Sequence, residues 1–366
     1  MPSVSELITR YIRSDVAGMH AYAVQDSRGL LKLDAMENPH RLPAELQQQL
    51  GQRLGALALN RYPDGRIDDL RAALKTHAQV PEGFDLMLGN GSDELISMLA
   101  MACDVPGATI VAPVPGFVMY RMSAQLQGLR FVGVTLTKDF ALDEAAMRLA
   151  IDAQQPSILY LAYPNNPTAN LWDDAVMDRL IAAAPGLVVI DEAYQPFAGR
   201  SFIDRLTAHD NVLLMRTMSK FGLAGARIGY LIARTPLIAE INKVRPPYNI
   251  SVLNAECALF ALEHADVFAE QARDIVAQRE WLVGQLSALP GVCCFRSDAN
   301  MLLVRLPDAG KSGAGASAAA FAAMRANGVL VKDVSAMHPL LRNCLRLTVG
   351  TSDENRAMLQ ALKECL

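Results

Sequence analysis

The sequence predicts an α/β chain: a large domain with a mainly parallel sheet flanked by helices, plus a smaller α/β domain from both chain ends. Three observations predict it. Short runs that are apolar throughout, such as Leu187-Val188-Val189-Ile190 and Val212-Leu213-Leu214-Met215, lack the alternation of a half-exposed strand and read as strands buried on both faces. These runs alternate with stretches of helical periodicity, the order that yields parallel strands joined by crossover helices. The 366 residues are 51% hydrophobic and 20% charged, enough apolar surface for two units. The expected boundaries are 40–249 for the large domain and 1–39 with 250–366 for the small one, with the break at Arg245-Pro246-Pro247-Tyr248-Asn249.

In order, the chain begins with a short amphipathic stretch and reaches a strand-like Leu30-Leu31-Lys32-Leu33, ended by Met36-Glu37-Asn38-Pro39. Leu46, Leu50, Leu54 and Leu57 recur at helical spacing, which predicts a helix over 43–59 stopped by the turn Asn60-Arg61-Tyr62-Pro63-Asp64-Gly65. A second helix carries Leu70 and Leu74. A strand over 84–88 leads through Gly89-Asn90-Gly91-Ser92-Asp93-Glu94 into a helix reaching Cys103. Strands follow at 109–112 and 131–134, a helix at 143–153, then strands at 157–161, 187–190, 211–215 and 228–233. Helical patterns fill 251–289, and a second α/β unit has strands near 300–305, 328–331 and 344–349 with a closing helix from Ser352. The Gly-, Ser- and Ala-rich stretch 310–320 is expected as a mobile surface loop.

Composition excludes several classes. With 34 basic against 38 acidic residues, a formal charge of -4 and no basic block, nucleic acid and anionic membranes are poor partners. No apolar run approaches a membrane span. The six cysteines are scattered, and the one close pair, Cys293-Cys294, is adjacent; they read as reduced thiols of a cytoplasmic protein, with no metal site. The histidines show no ligand spacing and read as structural. Leu187 to Glu192 also matches the Mg-binding strand of P-loop ATPases, and Gly310-Lys311-Ser312 the end of their phosphate loop. The first glycine of that loop would fall on Arg305, and the loop would follow the acidic strand instead of preceding it. A nucleotide-binding α/β protein is the weaker reading.

Polar residues collect where strands end. Asn166, Asp191 and Lys220 each follow an apolar run, and functional groups of parallel sheets gather at the carboxyl ends of strands. A lysine leaving a buried strand is partly desolvated, which lowers its pKa and makes it a better nucleophile toward a carbonyl. The turn at Gly91-Ser92-Asp93 leaves backbone N–H groups open at a helix start, a plausible phosphate cup. Alone, such a lysine is usually a surface residue and such a turn merely a turn. Their joint order along the chain is what makes them a set.

That set carries a resemblance. Asn166-Pro167-Thr168, Asp191-Glu192-Ala193-Tyr194 and Ser219-Lys220 with Arg227 resemble the motifs of the fold-type-I aminotransferases, which use pyridoxal phosphate, over nearly the whole chain. Asn60-Arg61-Tyr62-Pro63-Asp64, Ser219-Lys220-Phe221-Gly222-Leu223-Ala224-Gly225 and Cys344-Leu345-Arg346-Leu347-Thr348-Val349-Gly350-Thr351 are similar to the histidinol-phosphate aminotransferase family of histidine biosynthesis. The resemblance implies that Lys220 holds the cofactor covalently and moves the proton, that Asp191 pairs with the pyridinium N–H, and that Asn166 and Tyr194 donate to the phenolic oxygen. It implies that Gly91, Ser92, Asp93, Ser219 and Arg227 hold the cofactor phosphate, and that Phe117 stacks on the ring with Tyr120 nearby. Tyr62 would reach the neighbouring subunit's cofactor phosphate, which implies a homodimer. Arg346 would grip the substrate anion with help from Tyr22 and Lys332, and Asn166 would border the substrate as well. The substrates implied are L-histidinol phosphate and 2-oxoglutarate or glutamate; an aromatic-amino-acid aminotransferase or a threonine-phosphate decarboxylase shares the architecture. Two departures stand out: Ala169 replaces the family's usual glycine, at a cost if φ is positive there, and Lys332 stands where some members carry arginine.

Overall fold

The computed structural model describes residues 2–366 except His20, Tyr22, Ala23, Asp64 and 308–314. In chain order its strands are β1 (Leu31–Lys32), β2 (Phe84–Gly89), β3 (Thr109–Val114), β4 (Arg130–Thr135), β5 (Ile158–Ala162), β6 (Leu187–Asp191), β7 (Val212–Thr217), β8 (Gly229–Arg234), β9 (Cys293–Cys294), β10 (Met301–Arg305), β11 (Val329–Leu330), β12 (Lys332–Asp333) and β13 (Cys344–Thr348). The large sheet has the order β2-β8-β7-β6-β5-β3-β4. Its pairs are parallel from β4 to β7, and β8 runs antiparallel to both its neighbours. Six strands therefore end, and β8 alone begins, along one edge.

Both faces of this sheet are apolar, as continuous hydrophobic runs require. Val111, Leu159, Leu161, Val188, Ile190 and Leu214 pack into one core, while Ile110, Tyr160, Val189, Leu213, Met215 and Leu231 pack into the other. A second, antiparallel sheet, β12-β13-β10-β9, has its own core around Ile275, Leu302, Leu345 and Leu359. β1 pairs in parallel with β11, Leu31 opposite Val329, so the first strand of the chain is completed by its carboxy-terminal part.

The helix Val252–Glu263, which follows the expected break, buries Ala255, Ala258 and Leu259 beside Leu70 and Leu74 of the helix Arg66–His77 in the large-sheet core. The next helix, Ala265–Ser287, has Phe268 in that core and Ile275, Leu282 and Leu286 in the other. Glu256, buried, accepts from Arg53 Nε at 2.6 Å and pairs with Arg66, tying together the two helices that flank the turn bearing Tyr62.

Two segments differ from expectation. Of the stretch 310–320, residues 310–314 lie outside the described residues, but Ala316–Ala326 is a helix. Its alanines carry the highest helical propensity, and Ala320 and Met324 bury one face. Val118–Gln127 is a helix as well, between the strands expected at 109–112 and 131–134, where no helix was expected; Tyr120, Ser123 and Ala124 are its buried face. Among the described residues, no helix is long and apolar enough to cross a membrane, and no group of three His, Cys, Asp or Glu could hold a metal ion.

Ala169 has φ 64 and is fully buried, its N–H donating to Asn165 O at 2.8 Å and its carbonyl accepting from Asp298 N at 2.7 Å. The left-handed backbone that the family's glycine would satisfy is thus imposed on an alanine. Ala169→Gly is expected to stay within about 1 kcal/mol of wild-type stability. Relief of roughly 1–2 kcal/mol of left-handed strain offsets the lost buried methyl and the added freedom of the unfolded chain. Ala169→Val, β-branched at the same φ, is expected to lose about 2–3 kcal/mol in denaturant melts; an unchanged midpoint would contradict this account.

Candidate active site

Three adjacent strands present their carboxyl ends side by side, and each contributes one polar group. Asp191 is the last residue of β6 and is buried. Its Oδ2 accepts from Tyr120 Oη at 2.7 Å and its Oδ1 from Ala193 N at 3.0 Å. No cationic side chain pairs with it among the described residues, and burial lifts its carboxyl from the usual 3.8 to about 6. Tyr120 is itself held by stacking on Tyr160 at 4.2 Å and 9°, with Phe117 edge-on to it at 5.6 Å.

Beyond β5, Asn166 bridges two groups. Its Nδ2 donates to Tyr194 Oη at 3.0 Å, and its Oδ1 accepts from Arg346 Nη1 at 2.7 Å. Tyr194 Oη thus accepts one bond and keeps its own hydrogen to donate. After β7 the chain makes one wide helical turn, Ser219–Leu223, a form that recurs at functional sites. Lys220 Nζ donates to Ala35 O at 2.8 Å and lies 5.9 Å from the Tyr194 ring centre. Burial, and then the charge of Arg346, bring its amine down from 10.5 to about 8.

A third group surrounds the start of the helix Ser92–Ala102, whose N-cap, Gly91, has φ 84. A Cβ on Gly91 would lie 2.5 Å from Arg227 Nη2, and one on Gly229 would lie 2.6 Å from Ser92 N. Glycine at both positions lets the guanidinium and the helix start approach each other. Arg227 Nη1 donates to Ser219 Oγ at 3.4 Å, and its Nη2 lies 3.6 Å from Asp93 Oδ2. The result is a cradle of backbone N–H, hydroxyl and guanidinium donors that suits a phosphate.

These groups line one cavity of about 360 Å³, which holds Ser92, Asp93, Phe117, Asn166, Asp191, Tyr194, Ser219, Lys220 and Arg227 among its walls. A second chamber of about 440 Å³ is lined by Lys332 and Arg346, cross-strand partners on β12 and β13, and shares Ala35, Met36, Asp93, Phe117 and Asn166 with the first. Gly91 caps the adjoining helix. Tyr62 is not brought to this cavity: it is exposed and stacks on Tyr248 at 4.6 Å and 18°. The expected part of Tyr22 lies outside the described residues. Sequence reasoning missed the Tyr120–Asp191 bond and the Ala35 carbonyl under Lys220. A backbone carbonyl has no residue signature, and Tyr120 reads as core.

The model of the family described as aminotransferase class I and II matches residues 28–362. The chain belongs to the class I and II aminotransferases. Among its relatives in that family, it is 67% identical to a histidinol-phosphate aminotransferase of Polaromonas naphthalenivorans, over 98% of this chain and 97% of the relative. Its fold is that of the histidinol-phosphate aminotransferase of Sinorhizobium meliloti in complex with pyridoxal-5'-phosphate, with a TM-score of 0.84, 24% identity and 97% coverage of both chains. The L-threonine-O-3-phosphate decarboxylase of Porphyromonas gingivalis shares the fold too, with a TM-score of 0.76 and 21% identity, covering 91% of this chain and 98% of that one. The aminotransferase fold by itself therefore does not select the reaction.

The Lys220 shift has a measurable sign. Between about 8 and 10.5 the unfolded chain holds the proton that the folded amine has lost, so stability rises with pH across that window. Below about 8 the buried charge is a full cost to the fold. Lys220→Met is expected to raise the melting temperature of the ligand-free aminotransferase at pH 7, with the gain shrinking as the pH approaches 10.5. A gain that grows with pH would overturn the assignment of a desolvated amine.

Proposed function

We propose that the chain is a pyridoxal-phosphate-dependent histidinol-phosphate aminotransferase of histidine biosynthesis. It would convert L-histidinol phosphate and 2-oxoglutarate to imidazole acetol phosphate and L-glutamate. The relative at 67% identity bears that name. The observation that carries the choice of substrate is the pair of cations in the second chamber. Arg346 alone serves a carboxylate or a phosphate; Lys332, whose ammonium has no ion-pair or hydrogen-bond partner among the described residues, adds the second charge that a dianionic phosphate favours.

The residues fit pyridoxal phosphate. Asp191 is a buried carboxylate with no cationic partner among the described residues, and a pyridinium N–H would supply one. The cradle at Gly91, Ser92, Ser219 and Arg227 would take the cofactor phosphate, with Asp93 orienting Arg227. Phe117 would cover the ring, and Tyr194 with Asn166 would donate to the phenolic oxygen. When bound, the cofactor supplies an electron-withdrawing ring that takes up the charge left on deprotonation of the substrate's Cα.

The chain's own groups do the rest. Lys220 would hold the cofactor's aldehyde carbon, and its free amine would accept the proton from the substrate's Cα; an amine titrating near 8 is partly uncharged at neutral pH and able to do so. Asp191 would keep the ring nitrogen protonated. Arg346 and Lys332 would fix the substrate's phosphate, and Asn166 links Arg346 to Tyr194, so one side chain joins the anion grip to the phenolic donor. We further propose a homodimer in which Tyr62 completes the neighbouring cofactor cradle, and a small domain built from both chain ends as expected, except that the helix Val252–Glu263, packed in the large-sheet core, goes with the large domain instead of with 250–366. The six cysteines are free thiols, in keeping with a cytoplasmic location.

The purified protein is expected to show a visible band that bleaches on addition of L-histidinol phosphate without an acceptor. A band that ignores it and bleaches with phenylalanine would overturn the substrate, and no band after supply of pyridoxal phosphate would overturn the role of Lys220. Subunits carrying Lys220→Ala and Tyr62→Ala should, when mixed, form dimers with one intact site each. At limiting cofactor the mixture should therefore exceed both homodimers; failure to do so would remove the trans role of Tyr62.

A further inference from the structure

We propose that Asp34 is a substrate-specificity residue, whose carboxylate receives an N–H of the substrate's imidazole ring. This rests on the histidinol-phosphate reading and deepens it. Asp34 follows β1 at the wall of the second chamber and is only 9% exposed. Its Oδ2 accepts from Gln25 Nε2 at 3.2 Å, and its Oδ1 is buried without a donor among the described residues. A buried carboxylate oxygen left unmatched costs stability unless a bound molecule completes it. The carboxylate torsion of Asp is broad and two-fold, so a small rotation turns an oxygen into the chamber.

Position supports the same assignment. The carbonyl of Asp34 accepts from Arg346 Nη2 at 2.7 Å, and the next carbonyl, Ala35 O, accepts from Lys220 Nζ at 2.8 Å. The Asp34-Ala35 backbone therefore touches both the arginine that meets the substrate's anion and the amine that meets its nitrogen, one carbonyl to each. The charged groups of this chamber are Lys32, Lys332, Arg346, Asp34 and Asp93. Lys32 is taken up by Glu37 at 2.5 Å, and Asp93 faces Arg227 in the phosphate cradle. With Lys332 and Arg346 directed to phosphate, Asp34 is the acidic group left for a ring that donates. Neither glutamate nor a phenyl ring offers such a donor, so Asp34 would read the imidazole alone. An imidazolium donates more strongly than a neutral imidazole, so the preference should weaken as pH rises through about 6.5.

The test compares two amino phosphates that differ in the ring, L-histidinol phosphate and L-phenylalaninol phosphate, in single half-reactions followed by the cofactor band. The wild type is expected to favour the imidazole compound at least tenfold in kcat/KM, with that ratio falling between pH 5.5 and 7.5. In Asp34→Asn the ratio should collapse at least fivefold and lose its pH dependence, while the glutamate half-reaction stays within twofold and so reports an intact site. A ratio unchanged in Asp34→Asn would overturn the proposal, as would equal losses for both compounds and glutamate. A rise in affinity for all three anions would also overturn it, because Asp34 would then only trim positive charge. The wild-type ratio and its pH profile test the proposal even where the variant folds poorly: a flat profile with no preference counts against it. A wild type that reacts with neither phosphate but does react with an amino acid sinks the histidinol-phosphate reading instead.

Discussion

The buried carboxylate of Asp191 is the constraint on which the rest of the site depends. Burial pushes it up to about 6, so in the ligand-free protein it is a liability near neutral pH. The fold spends several contacts on keeping it in place. Tyr120 donates to one oxygen and the backbone of Ala193 to the other, and the stack of Tyr120 on Tyr160 keeps the phenol aimed. The residue after it, Glu192, is locked to Arg216 of the adjacent strand by a buried pair at 2.9 Å. Breaking such a pair from one side is costly, so the strand end has little freedom.

A second charge problem mirrors the first. Lys220 and Arg346 are both cationic and share one enclosed region; burial first, and then the charge of Arg346, brings the amine down to about 8. An acid lifted toward neutrality and an amine lowered toward it, placed in one cavity, are the pattern of a site prepared for proton transfer. The same arrangement explains why stability and function oppose each other here: each unmatched group would be calmer in an apolar replacement, and each is kept for what it binds.

Much of this was legible in the chain. Asn166, Asp191, Ser219 and Lys220 follow apolar runs whose alternation with helices dictates parallel strands, so their convergence at one edge follows from strand direction. Gly91 was legible as a helix start that admits an anion, and Ala169 as a departure from the family's glycine whose cost depended on a φ that only the fold revealed. What was not legible came from contacts between distant segments. The helix Val118–Gln127 was not read from the sequence, and its packing delivers Tyr120 to Asp191. Ala35 matters through a carbonyl, which every residue possesses.

The sequence by itself determined the order of elements, the buried strands and the identity of the reactive groups, because hydrophobic period and residue chemistry are local properties. Only the tertiary structure decided which groups meet. It joined β1 to β11, set Lys332 across from Arg346, and put the successive carbonyls of Asp34 and Ala35 on Arg346 and Lys220. Those juxtapositions depend on how two sheets and their connecting helix pack against each other, and packing is a property of the whole chain.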